Sequence, residues 1–377
     1  MAAAIVPTPR GSNVHSFERV IPARPWRGIT VSVVMTLAVA TAAWEIYCRS
    51  LGYLPSIDDS GDLWTEVRRK VEPESLVIVG DSRPLFDLDL DELDKGLGKR
   101  PLQLAQAGSC AFPVLNDLVN DKTFHGTIVC SIVPALFFAP PDSFPMKESE
   151  KAVRRGQTQT YAQRASHDLG IYLDECFASM NQDDLTLGVL LGQLPIANRP
   201  NAQVPPPFPP YFASVDRERR ARMIERCAMP GKLQDRVKYG WIPLFTPPPP
   251  PNWIPKEKFG MMMKSAFEKR FTDTKALVDK LHARGGKIVF VRFPMNGDLR
   301  AFEDKITPRA AIWDRLVKDT AVPGIYFEDY PELASFTCPE WSHLSAGDSV
   351  EFTKRLVPHL RTALANGGNT ARVASPY

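Results

Sequence analysis

Two short blocks, far apart in the chain, carry residue types that do chemistry together. One is Gly80-Asp81-Ser82, directly after the apolar run Leu76-Val77-Ile78-Val79. The other is Glu340-Trp341-Ser342-His343, near the end of the chain. A serine hydroxyl is un-ionised at neutral pH and needs a base to become a nucleophile. His343 would take that proton and later return it to the leaving group. Glu340, three residues earlier, would accept from the other ring nitrogen and fix the tautomer. The developing oxyanion needs donors, and the backbone N–H groups of Ser82 and Gly108 are the candidates. Each such donor lowers a barrier by about 3 kcal/mol in known systems. Glycine-aspartate-serine is also ordinary turn chemistry, so neither block is informative alone; their combination is. The six cysteines, Cys48, Cys110, Cys130, Cys176, Cys227 and Cys338, show no CxxC or CxH spacing. That argues against zinc, and no metal or cofactor is expected. Buried thiols are the expected state of most of them, with Cys176–Cys227 the pair most open to a disulfide if the body is exported.

The elements that would position these blocks follow a regular pattern. Continuous apolar runs at 75–79, 102–105, 126–133, 287–291 and 325–329 read as strands buried on both faces. Helical patterns at 114–120, 267–284, 312–320 and 345–365 alternate with them, and Gly285-Gly286 would end the second. Strand–helix alternation implies an α/β fold with a doubly wound, flavodoxin-like parallel sheet. In such sheets the site lies at the carboxyl ends of the strands. Ser82, Gly108, Pro134 and Arg292 all follow strands, so all would share that edge. Arg83 and Arg292 are candidates for binding an anionic or hydroxyl-rich substrate. The competing reading pairs them with Asp81, Asp87 or Glu340.

The chain resembles the SGNH/GDSL hydrolase superfamily, over about residues 70–135 and 285–365. In particular it looks like membrane-anchored bacterial members that accompany alginate O-acetylation or teichoic-acid D-alanylation. Ser82 in Gly80-Asp81-Ser82 matches the nucleophile block. Gly108 in Gln106-Ala107-Gly108-Ser109 matches the oxyanion glycine. His343 in Glu340-Trp341-Ser342-His343-Leu344-Ser345 matches the base block, with Glu340 where the family usually has aspartate. One block departs: the family places an oxyanion asparagine after the third strand. Here Ser131-Ile132-Val133-Pro134-Ala135 follows, and Asn116 lies too early. Losing such a donor costs roughly 10²–10³ in rate if nothing replaces it.

Residues 1–27 carry Arg10, Arg19, Arg24 and Arg27 against Glu18, which accounts for the whole net charge of +3. The remainder is near neutral, which argues against nucleic acid as a partner. Residues 28–44 follow without a charge, flanked by Trp26 and Trp44. Such a run is at the short end for a membrane span. A cleaved signal peptide, with Ala40-Thr41-Ala42 as its site, and a buried core helix are the competing readings. The arginines before the run predict a cytoplasmic N-terminus and an exported body at a bacterial inner membrane. The expected organisation is a basic N-terminus over 1–27 and a transmembrane anchor or signal peptide over 28–48. An SGNH-like α/β domain would follow over 60–377, with 136–265 as insertion or lid.

Fourteen prolines fall between Pro200 and Pro255, a density that excludes sheet from their two runs, at 205–207 and 247–251. Between those runs, 215–227 reads as a basic helix. The stretch is an insertion, a lid, a docking arm or an ordered surface loop. Together these features predict a membrane-tethered O-acyltransferase or esterase, passing an acetyl group through acyl-Ser82. The acceptor would be water or the hydroxyl of a cell-surface glycan, and a membrane-bound acyltransferase would be the partner. The alternative is an SGNH-fold subunit, catalytically weak or inactive, that binds or assembles with that membrane partner. An unrelated soluble α/β domain would hold Ser82 and His343 far apart.

Overall fold

Five short parallel strands form the sheet that carries the site edge. The computed structural model describes residues 24–181, 185, 190–191, 211–245 and 253–366. The strands are β1 (Leu76–Val79), β2 (Leu102–Gln103), β3 (Thr127–Ser131), β6 (Lys287–Arg292) and β7 (Gly324–Tyr326). They lie in the order β2-β1-β3-β6-β7. The order reverses between β1 and β3, which is the arrangement of doubly wound sheets. In β1 all four residues are buried, and in β6 all but Lys287. Burial on both faces is why these strands read as continuous rather than alternating runs. Ile78 pairs with Val129, and Cys130 with Phe290, so the central strands start and end level with one another.

The helices are α1 (Trp26–Ser50), α2 (Gly61–Arg69), α3 (Ser82–Asp87), α4 (Leu90–Leu97), α5 (Ala111–Asn120), α6 (Pro134–Phe137), α7 (Phe144–Thr158) and α8 (Tyr161–Cys176). They continue with α9 (Glu225–Ala228), α10 (Lys232–Trp241), α11 (Lys256–His282), α12 (Gly297–Ile306), α13 (Arg309–Thr320), α14 (Pro331–Ala334) and α15 (Ala346–Asn366). The helix expected from residue 267 begins eleven residues earlier, at Lys256. Gly285, at φ +80°, turns the chain into β6. The strand expected over 325–329 closes at Tyr326 and becomes a 3-10 turn over Phe327–Asp329.

The chain divides into two units, residues 1–47 and 48–377. In the first, α1 is long and apolar enough to cross a membrane, a test that a signal sequence also passes. Its helix runs unbroken through Ala40-Thr41-Ala42.

One helix expected from the sequence is absent. Residues 215–227 form an antiparallel hairpin, β4 (Ala213–Val215) with β5 (Ala221–Met223), followed by the single turn of α9. Asp216 explains it. Its Oδ1 accepts from the amides of Glu218 and Arg220, at 3.0 Å each. Such local bonds compete with a helix. Arg219 then adopts φ +62°, and its fully buried guanidinium pairs with Asp59 at 2.6 Å. Arg220 pairs with Asp89. Those long-range ion pairs, not local periodicity, set the fold of this stretch. Both proline runs lie outside the described residues. Cys227 is a buried thiol and Cys176 an exposed one, so that pair forms no disulfide.

Candidate active site

Gly80 lets the serine turn form. A Cβ there would lie 2.5 Å from the Ser131 Cβ and 2.8 Å from the Pro84 Cγ, so only glycine fits between β1 and its neighbours. Asp81 caps α3, its Oδ1 accepting from the Arg83 amide at 2.9 Å. Its Oδ2 accepts from the Ser131 hydroxyl at 3.0 Å, tying the turn to the end of β3. Ser82 is thereby placed at the first position of α3, half-buried and facing the C-terminal block.

His343 Nε2 lies 2.7 Å from Ser82 Oγ, and His343 Nδ1 lies 2.9 Å from Glu340 Oε1. An ionised carboxylate can only accept, so Nδ1 carries the ring proton and Nε2 is free to accept from the serine. Ser82, His343 and Glu340, 261 residues apart at the extremes, therefore make one chain of hydrogen bonds. Glu340 is fully buried and His343 nearly so. Glu340 Oε1 also accepts from the His343 and Ser342 amides, at 2.6 and 3.3 Å. The glutamate's extra methylene, relative to aspartate, is absorbed by this folding back onto its own loop.

That loop is held from several sides. Trp341 sits at φ +81°, a costly region for a non-glycine residue. Asn296, just after β6, fixes it: its amide donates to the Trp341 carbonyl, and its Oδ1 accepts from the Cys338 amide, at 3.0 Å each. Gly297 follows at φ +62°, where a Cβ would strike the Trp341 ring at 2.3 Å. On the other flank the Leu344 amide donates to Asp87 Oδ1 at 2.8 Å. Burial pushes the Asp87 carboxyl well above the usual carboxylate range, against the opposing pull of that bond and of Arg83. Its Oδ2 makes no hydrogen bond among the described residues. Phe86 lies on the His343 ring with centroids 4.3 Å apart.

Gly108 occupies the turn after β2 at φ +64°. The Gln106 amide donates to the Gly80 carbonyl at 3.0 Å, so this turn is bonded to the nucleophile's own. Among the described residues, neither the Ser82 nor the Gly108 amide donates an internal hydrogen bond. Both amides are therefore available to an oxyanion. After β3 the chain enters α6 at Pro134, with no asparagine at the edge. Asn116 is on α5, bonded to Asn120 at 2.9 Å.

Arg83 and Arg292 are both buried, and both reach Glu303 of α12, Arg83 at 2.8 Å. Arg292 also donates to the Ile132 carbonyl at 3.4 Å and to Met295 Sδ at 2.9 Å. This geometry carries the ion-pair reading rather than substrate binding, with Glu303 as the acid in place of Asp81, Asp87 or Glu340. Burial would raise the Glu303 carboxyl, but Arg292 and Arg83 outweigh it and hold it at about 2. The cluster cross-links the ends of β1 and β6 beneath the site.

Three contacts have no signal in the sequence. Trp241, at the end of α10, donates from Nε1 to Glu340 Oε2 at 2.6 Å and to the Glu340 carbonyl at 3.0 Å. Phe212, beside β4, stacks on Phe86 with centroids 5.3 Å apart and lies 5.9 Å from the His343 ring. Glu303 is the third. An Asn296-Gly297 turn after a strand is at least a turn signal.

No family model, curated protein or solved structure matches the chain. Among the described residues, no group of histidine, cysteine and acidic side chains is arranged to hold a metal ion.

Proposed function

We propose that this chain is an exported, membrane-tethered serine acyl-ester enzyme of the SGNH type. The observation that carries this is the 2.7 Å and 2.9 Å relay from Ser82 through His343 to Glu340, built from blocks at opposite ends of the chain. The tether is α1, and the SGNH assignment rests on the resemblance of the Gly80, Gly108 and Glu340 blocks.

The chemistry follows from the relay. Ser82 Oγ attacks the acyl carbonyl carbon as its proton passes to His343 Nε2. The carbonyl oxygen becomes an oxyanion facing the Ser82 and Gly108 amides. The C–O bond to the leaving alcohol then breaks, and His343 delivers its proton to that alcohol. Acyl-Ser82 remains. His343 next takes a proton from water, giving hydrolysis, or from a glycan hydroxyl, giving transfer. The attack on the acyl carbon releases Ser82 with its proton restored. Glu340 stays bonded to His343 Nδ1 throughout and stabilises the imidazolium. The acyl group is taken as acetyl, the acceptor as a cell-surface polysaccharide, and a membrane-bound acyltransferase as the source of acyl groups.

The test is to trap the intermediate. Full-length protein in detergent, given an activated acetyl ester and quenched in acid, is expected to carry one acetyl group on the Ser82 peptide by mass spectrometry. Acetylation that persists in Ser82→Ala, or none on folded wild type, contradicts the proposal. The second reading, a binding or assembly subunit on the same fold, is favoured by the direct entry of β3 into Pro134 without a side-chain oxyanion donor.

A further inference from the structure

We infer that Trp241 is a positioning residue that holds Glu340 aimed at His343, so that the segment between the two proline runs completes the catalytic relay. This rests on the triad reading above.

The two oxygens of Glu340 are unequally supplied. Oε1 accepts from the His343 and Ser342 amides and from the His343 ring. Among the described residues Oε2 accepts from one donor, the Trp241 indole at 2.6 Å. Glu340 is fully buried, so without that donor Oε2 would be a charged acceptor with nothing to replace water. A Glu340 that turns to find another donor for Oε2 leaves the His343 ring, and the imidazolium that the serine step creates loses its partner. The same indole also holds the Glu340 carbonyl at 3.0 Å, fixing the acid's backbone.

Trp241 is itself held. It closes α10, whose Val237 is fully buried and whose Gln234 donates to the Cys227 carbonyl at 3.2 Å. Phe245, in the 3-10 turn that follows, lies tilted against Phe302 of α12 with ring centroids 5.0 Å apart. The segment is thus packed between α9 and α12, and its indole is delivered from outside the parallel sheet. An arm that only docked on a partner would not need its tryptophan on the catalytic acid.

The test compares wild type, Trp241→Phe and Trp241→His, all full length in detergent. Phenylalanine keeps the ring and removes the donor. Histidine Nε2–H stands at the same ring position as indole Nε1–H and restores it. The rate of Ser82 labelling by a fluorophosphonate probe is measured for each. Trp241→Phe is expected to slow labelling at least tenfold, and Trp241→His, which restores the donor, to recover most of that loss. A second readout does not need activity: the downfield Nδ1–H proton resonance of His343, assigned by its loss in His343→Gln. It is expected to shift in Trp241→Phe. If wild type is not labelled, the acyl-enzyme reading fails while this resonance still tests Trp241. An unchanged labelling rate, or an unmoved resonance, in folded Trp241→Phe overturns the inference.

Discussion

Replacing Glu303 with glutamine isolates the ionic cross-link beneath the site, because it keeps the side chain's size and removes its charge. In the native chain the carboxyl lies at about 2, against 4.5 for an unperturbed glutamate. A folded value below the unfolded one contributes stability that is complete above about 4.5 and is lost as pH falls towards 2. A shift of about 2.5 units is worth about 3 kcal/mol at neutral pH, of which about 2 kcal/mol is gone by pH 3. At pH 7, Glu303→Gln is expected to cost about 3–5 kcal/mol, because two guanidinium groups stay buried without their acid. Urea unfolding of wild type and variant at pH 7, 5, 4 and 3 measures both quantities. The gap between them should hold from pH 7 to 5 and narrow by about 2 kcal/mol by pH 3. Parallel curves across that range would show that Glu303 is not the ionised centre of the Arg83–Arg292 pair.

Three further outcomes follow from the site. Glu340→Gln sets an amide NH2 against donors that the carboxylate accepts from, and should slow Ser82 acylation by about 10³–10⁴ and lower the melting temperature; acylation within tenfold of wild type would deny Glu340 its role. Gly297→Ala forces an alanine to φ +62° and a methyl against the Trp341 ring at 2.3 Å, which should cost about 2 kcal/mol or more and slow acylation, read by thermal melting and probe labelling together. Asp87→Asn removes a carboxyl whose folded value burial raises, and which therefore weakens the fold as pH rises above its ordinary value near 3.8. The variant's melting temperature should gain on wild type from pH 4 to 8, and a constant difference would contradict that placement of Asp87.

The sheet was readable because its central strands, β1, β3 and β6, are buried almost throughout and so appear as nearly unbroken apolar runs. The Ser82–His343–Glu340 hydrogen-bond chain was readable because its members sit in two short blocks, Ser82 directly after β1, and Glu340 and His343 in one loop before α15. What escaped depends on pairs distant in sequence. Arg83 and Arg292 are charged residues at strand ends, and nothing local shows that Glu303, 220 residues from Arg83, neutralises both. The basic run at 215–227 has helical spacing, yet Asp216 and the buried Arg219–Asp59 pair impose a hairpin. Trp241 sits in a polar helix whose sequence says nothing about Glu340; only the fold of the surrounding segment brings the indole to that carboxylate.

The central claim is that Ser82 is an activated nucleophile. Labelling the purified full-length protein with a fluorophosphonate probe, beside Ser82→Ala and His343→Ala, tests it most directly. The structure predicts labelling of wild type, none in Ser82→Ala, and at least a hundredfold slower labelling in His343→Ala, by the order of magnitude that general-base catalysis supplies. A folded wild type that takes no label, or a Ser82→Ala variant that still does, would contradict it.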